Sequence, residues 1–180
     1  MQAYLKKHGP DHAGHMVKVE WSLSGRDVSL KFTVTKRDKT PWYTDEKYSS
    51  EWKDNWGLWN TDVVESFLQL RKNPDDISAP YLEVQVSPLD QPFALIIVEP
   101  RKAFHPPEKL NFTHSVNLFD KVWEANLQVT LPSEIVGEVL YGSFFSCLGE
   151  GKREFYALEI NPEENPDFHR PELFQKLEGI

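Results

Sequence analysis

A single cysteine, Cys147, stands among 180 residues, so no disulfide forms within the chain. It lies in the apolar run from Leu140 to Leu148, which favours a small buried hydrophobe over a nucleophile. A lone thiol suits the cytoplasm and is equally compatible with a bacterial periplasm. Methionine is nearly as scarce: Met1 and Met16 are the only two. No apolar stretch approaches the roughly 18 residues of a membrane-spanning helix. The opening Met1-Gln-Ala-Tyr-Leu-Lys-Lys-His has no apolar core of the kind a secretory signal needs. The expectation is a chain that stays inside the cell, or one exported by a leader outside this sequence. Lys and Arg number 20 against 28 Asp and Glu, a formal charge of −8. With no basic cluster to displace counterions, neither nucleic acid nor an anionic membrane is an expected partner. Helical periodicity is missing too, since no apolar 3.6-residue pattern persists over about ten residues.

Short alternating runs fill the chain instead. Val17, Val19, Trp21 and Leu23 alternate with polar residues. After the turn Ser24-Gly25-Arg26-Asp27, Val28, Leu30, Phe32 and Val34 do the same, which predicts a β-hairpin with one buried face. Further strands are expected over Thr61–Leu70, Tyr81–Ser87, Phe93–Val98, Ser115–Leu118, Trp123–Thr130, Glu138–Cys147 and Glu154–Ile160. Phe174–Leu177 is a closing strand, and Pro132–Val136 a single helical turn. Many short strands separated by Gly, Pro and Asp turns define an all-β antiparallel β-sandwich of jelly-roll or immunoglobulin-like type. Residues 17–180 are expected to form one domain. Residues 1–16, with Gly9, Pro10 and Gly14 among His8, His12 and His15, read as a flexible tail rather than a metal-binding helix. The Pro-rich stretch Glu99–Pro107 and the segment Asn161–Pro171 read as long connections, where function tends to sit.

Aromatic residues make up 13% of the chain, with six tryptophans. Trp52, Trp56 and Trp59 crowd into a polar segment just before Asp62 and Glu65. One reading is that they cover an end of the sandwich. The other is a ligand platform: a flat indole offers its face to the C–H side of a sugar ring while carboxylates and amides accept its hydroxyls. Period-two alternation supplies those polar groups. Val63, Glu65, Phe67 and Gln69 share one face of their strand, and Glu83, Gln85 and Ser87 share one face of the next. If the two strands pair, Glu65 lies beside a polar row.

Three segments carry a family resemblance. Leu58-Trp59-Asn60-Thr61-Asp62-Val63-Val64-Glu65-Ser66-Phe67-Leu68, then Tyr81-Leu82-Glu83-Val84-Gln85-Val86-Ser87-Pro88-Leu89, then Asn165-Pro166-Asp167-Phe168-His169-Arg170-Pro171-Glu172-Leu173-Phe174 resemble, in this order, segments of carbohydrate-binding module family 9-like domains. The resemblance implies a sandwich related to the DOMON domains. It also implies non-catalytic binding of a mono- or oligosaccharide, often a chain end, between aromatic side chains. It makes Trp59 a stacking ring and Glu65 a hydroxyl acceptor, to which the tryptophan cluster adds Trp56 and the strand alternation adds Glu83, Gln85 and Ser87 as candidate contacts. The second stacking ring would come from Phe168 or Tyr156. Ser87 stands where the family usually has Asn. The loop Arg71–Pro80 has Asn73, Asp75 and Asp76 but no glycine, unlike the family's calcium loop. No cofactor is therefore expected, with structural calcium the one possibility.

Three other functions compete. A haem-binding DOMON cytochrome would have to draw a ligand pair from His105, His114 and His169. A glycoside hydrolase would need Glu65 and a second carboxylate. A protein-interaction sandwich would use the tryptophans as anchors.

Overall fold

The computed structural model describes residues 1–9, 13–160 and 166–178. Thirteen strands form two antiparallel sheets. The first sheet is built on the expected hairpin, β3 (His15–Ser24) and β4 (Asp27–Lys36). β1 (Gln2–Tyr4) flanks β3, while β10 (Val122–Thr130) and β9 (Asn111–Leu118) follow β4. The second sheet runs from β2 (Lys6–Lys7) through β12 (Glu154–Ala157), β11 (Val139–Leu148), β5 (Val63–Arg71), β6 (Tyr81–Val86) and β7 (Pro92–Glu99) to β8 (Ala103–His105). β13 (Gln175–Lys176) pairs with β11 at Tyr141 and Gly142. A Cβ on Gly142 would lie 2.6 Å from the Phe67 carbonyl oxygen, so the close approach of β11 to β5 admits only glycine there.

The alternation of each strand sets the layers. Val19, Phe32, Ala125 and Leu127 of the first sheet meet Val64, Leu68, Val84, Ile96 and Phe144 of the second in one continuous core. Each large apolar side chain fully buried in that core contributes about 1.5–3 kcal/mol. The opposite face of the second sheet is apolar as well. Val63, Phe67, Tyr81, Phe93, Leu95, Ile97, Phe145 and Cys147 form a second buried cluster with Leu58 and Phe174. The segments before β5 and after β12 therefore fold over the sheet's outer face, and this covering is what positions the site. Cys147 is buried, as its apolar neighbours suggested.

Several expectations are corrected. The N-terminal segment is not a loose tail, because β1 pairs with β3 and β2 with β12. Leu5 between them is buried in the inter-sheet core, and its N–H donates to Val17 O at 2.8 Å where the chain crosses from one sheet to the other. Strands of two and three residues carry no period that a sequence can show. His12 lies outside the described residues, and His15 places Nδ1 2.8 Å from Glu154 Oε2. Pro132–Val136 is a turn closed by Ile135 N–H donating to Pro132 O at 3.0 Å, not a helix. β8 forms within the Pro-rich connection, pairing with β7 across a bulge. Glu154–Ile160 is strand only to Ala157. No helix among the described residues is long and apolar enough to cross a membrane.

Candidate ligand-binding site

The floor of the site is set by register. Glu65 is the partner of Gln85 and Phe67 of Glu83 across β5 and β6, with all four side chains on the outer face of the second sheet. Glu65 is 3% exposed, Glu83 4% and Gln85 1%. These polar groups share that face with an apolar cluster, so their hydrogen bonds decide what the site can do. Gln85 Nε2 donates to Glu83 Oε1 at 2.6 Å. Gln85 Oε1 is buried and has no partner among the described residues. Cys147 Sγ lies 3.6 Å from Glu65 Oε1, a weak donor for a buried carboxyl. Burial pushes the Glu65 carboxyl well above the usual range and the neighbouring Glu83 pushes it further. Burial raises Glu83 too, against the Gln85 amide that holds it down. Desolvation and Glu65 together raise the Cys147 thiol, so it is a poor nucleophile.

The walls come from loops. Trp56 and Trp59 stand on one side, in a segment pinned from below. Asn55 is fully buried, its Nδ2 donating to the Ser49 and Pro92 carbonyls at 2.8 and 2.7 Å while Oδ1 accepts the Ser49 N–H at 2.7 Å. Gly57 takes φ 89, a left-handed conformation that leads into the short 3-10 turn Leu58–Asn60. The Tyr48 hydroxyl donates to the Gly57 carbonyl at 2.6 Å. Arg153 donates to the carbonyls of Trp59 and Thr61 at 3.0 and 2.6 Å. Asp62 Oδ2 accepts the Tyr43 N–H at 2.9 Å and Oδ1 the Gly149 N–H at 2.6 Å, which ties the segment to the β11–β12 turn. Trp56 and Trp59 meet edge to face with centroids 4.9 Å apart, and Phe104 stacks on Trp56 at 5.2 Å.

The opposite wall is the segment before β13. Phe168 stacks on Phe145 at 4.3 Å, using one ring face, and Phe155 meets it edge-on at 6.1 Å. His169 stacks on Phe67 at 5.0 Å, with Nδ1 2.7 Å from the Tyr81 hydroxyl and Nε2 4.0 Å from Glu83 Oε2. Burial, with Arg101 nearby, pushes His169 down to about 4, so its ring is neutral near pH 7. Arg101 is ion-paired with Asp167 at the rim. Floor and walls enclose a cavity of about 310 Å³.

Six of the eight sequence candidates line this cavity: Trp56, Trp59, Glu65, Glu83, Gln85 and Phe168. Two do not. Tyr156 belongs to the inter-sheet core, and its hydroxyl donates to Glu154 Oε2 at 2.6 Å. The alternation of β12 turns its neighbour Phe155 to the pocket instead. Ser87 lies past the end of β6, where its hydroxyl donates to Gln91 Oε1 at 2.8 Å and closes the turn into β7. Sequence reasoning missed Arg101, Phe104, Phe155 and Asp167 as lining residues. Phe155 and Phe104 sit on strands of four and three residues, too short to fix a parity, and Arg101 and Asp167 sit on connections with no period to read. Asn165 is outside the described residues. His105 Nδ1 lies 2.9 Å from the Pro106 carbonyl oxygen, and His114, on the other sheet, pairs with Asp90, so the candidate haem ligands are not brought together. Asn73 and Asp76 accept backbone N–H groups of their own loop.

Comparison with known proteins defines the class of fold. A carbohydrate binding module family 9 protein from Caldicellulosiruptor kristjanssonii, solved with cellotriose, superposes with a TM-score of 0.61 at 15% identity, over 94% of this chain and 78% of that one. The same kind of module from that organism, solved with glucose, gives 0.58 at 15% identity, over 98% and 85%. The chain thus has the β-sandwich fold of these modules. No family model matches it. In sequence it is similar to the UPF0462 protein C4orf33 homolog of Danio rerio, 30% identical over 125 residues, 66% of this chain and 60% of the relative. The homolog from Rattus norvegicus is 29% identical over 127 residues, 66% and 59%. The match therefore spans about three fifths of the length of these relatives.

Proposed function

We propose that this protein binds a carbohydrate in the pocket over Glu65, Glu83 and Gln85 and does not transform it. One observation carries this reading: a cavity of about 310 Å³, large enough for a sugar ring, has aromatic walls and a floor of buried hydrogen-bond acceptors. Trp59 and Trp56 stack on one side of the sugar and Phe168 on the other, while the two carboxyls and the Gln85 amide take its hydroxyls. The fold shared with sugar-complexed family 9 modules supports it. Glu65 and Glu83 are also the kind of pair a glycosidase needs, so hydrolysis has to be measured beside binding. The test is a glycan screen followed by calorimetric titration of the hits, with aryl glycosides assayed for turnover. Saturable binding without turnover, weakened about ten- to hundredfold in Trp59→Ala, is expected. A blank screen, or turnover that follows the protein through purification, refutes the proposal.

A further inference from the structure

The floor is rich in acceptors and poor in donors. Among the described residues Glu65 has only the Cys147 thiol, Glu83 has one amide hydrogen from Gln85, and Gln85 Oε1 has nothing. A neutral sugar hydroxyl brings one donor and two acceptor lone pairs, so it matches such a floor only in part. The charges are lopsided in the same sense. Arg153 points its N–H groups at the Trp59 and Thr61 carbonyls, and its charge is shared between Asp62 and Glu65. Arg101 is paired with Asp167, and His169 is neutral. Among the described residues neither floor carboxyl has a charged side-chain partner of its own, yet both are almost wholly out of water.

We propose that the pocket selects a sugar carrying a free ammonium group, a hexosamine residue rather than a neutral hexose or its N-acetyl derivative. The inference rests on the reading that the pocket takes a sugar. An ammonium brings three donors and no acceptor, which is the complement of Glu65, Glu83 and Gln85 Oε1. Burying an ion pair normally costs the desolvation of both partners. Here folding has already desolvated the carboxyls, so binding costs the ammonium its water and releases to solvent the proton that burial lets the carboxyls hold. The ring faces of Trp56, Trp59 and Phe168 add attraction for a cation near them. Raised carboxyls fit the same picture, because a bound cation is what lets both ionise together.

The test uses three β-1,4-linked hexamers that differ only at C2, of glucosamine, N-acetylglucosamine and glucose. 6-Amino-6-deoxyglucose against glucose covers an ammonium at the other end of the ring. Titration of the full chain should show at least one amino sugar binding about tenfold or more tighter than its glucose counterpart. N-acetylation should abolish that advantage. Glu65→Gln and Glu83→Gln should reduce it to about threefold or less without lowering the thermal midpoint. An advantage below tenfold in every pair overturns the inference and leaves sugar binding standing. So does an advantage that survives both substitutions. Failure of all these sugars to bind overturns the inference alone, and the glycan screen, blank or not, separately decides whether the pocket takes a sugar.

Discussion

Glu65 on β5 and Gln85 on β6 face each other as antiparallel partners, both buried, with the Gln85 side-chain oxygen Oε1 unsatisfied among the described residues. A pair placed for stability alone would close on itself. This one leaves acceptors at the base of a cavity, and the stability lost there is measurable.

Glu65→Gln should stabilise the protein, and more so at higher pH. The folded carboxyl titrates above its unfolded value because it is buried beside Glu83. Between those two values the native state holds more protons than the unfolded one, so native stability falls as pH rises from about 4.5 through the folded value. Glutamine removes that decline. Urea melts at about pH 5 and pH 8 should show a gain at the higher pH of about 1 kcal/mol or more, and little at the lower. Equal melts for the two proteins at the higher pH would mean that Glu65 is solvated.

Phe155 and Tyr156 should separate binding from folding. Phe155→Ala opens the pocket wall and should weaken ligand binding by about 1 kcal/mol, with a modest loss of stability from a half-buried ring. Tyr156→Phe leaves the pocket untouched but takes one donor from Glu154 Oε2, which keeps His15 Nδ1 and the Gly14 N–H, and removes the acceptor of the His15 N–H, which donates to the Tyr156 hydroxyl at 3.2 Å. Its cost should be about 1–3 kcal/mol of unfolding free energy with unchanged affinity. The reverse pattern would restore Tyr156 to the site.

What the sequence could show follows from these two residues. Period two is a strong signal in strands of six to ten residues, and the two-faced reading of β5 and β6 placed Glu65 beside Gln85 and Glu83 as the structure has them. β12 has four residues, Glu154–Ala157, too few to fix its parity, and the larger polar ring of Tyr156 drew the assignment away from Phe155. β1 and β2 are held by pairing with distant strands and by one leucine, which leaves no local trace. Arg101, with φ 64, and Asp167 meet only because two loops converge over the outer face, and nothing near either residue in sequence announces it.

Gly57→Ala should damage the site from a distance. At φ 89 a side chain is strained, and the new Cβ would lie 3.2 Å from the Tyr48 hydroxyl that caps the turn. The cost should be about 1–3 kcal/mol in denaturant melts, and affinity should fall because Trp56 and Trp59 flank the displaced residue. A variant with the stability and binding of the parent would show that the turn accommodates the change without moving either indole.

Trp59→Ala is the most direct probe of the platform. Trp59 is half-buried, packs against Trp56 and, at 5.8 Å, Phe93, and lines the cavity above Glu65. Its backbone carbonyl is held by Arg153, and that contact survives truncation of the side chain, so the loop keeps its course. Removing the indole should therefore cost about 1–3 kcal/mol of binding, ten- to hundredfold in affinity, as expected for loss of a stacking ring. The unfolding free energy should fall by less than about 2 kcal/mol, since a fully buried tryptophan costs about 3–5 when cut to alanine. Calorimetric titration with the best glycan of the screen and urea melts on the same preparation read both quantities. Parental affinity would move the sugar away from Trp59, and outright unfolding would make this indole part of the core.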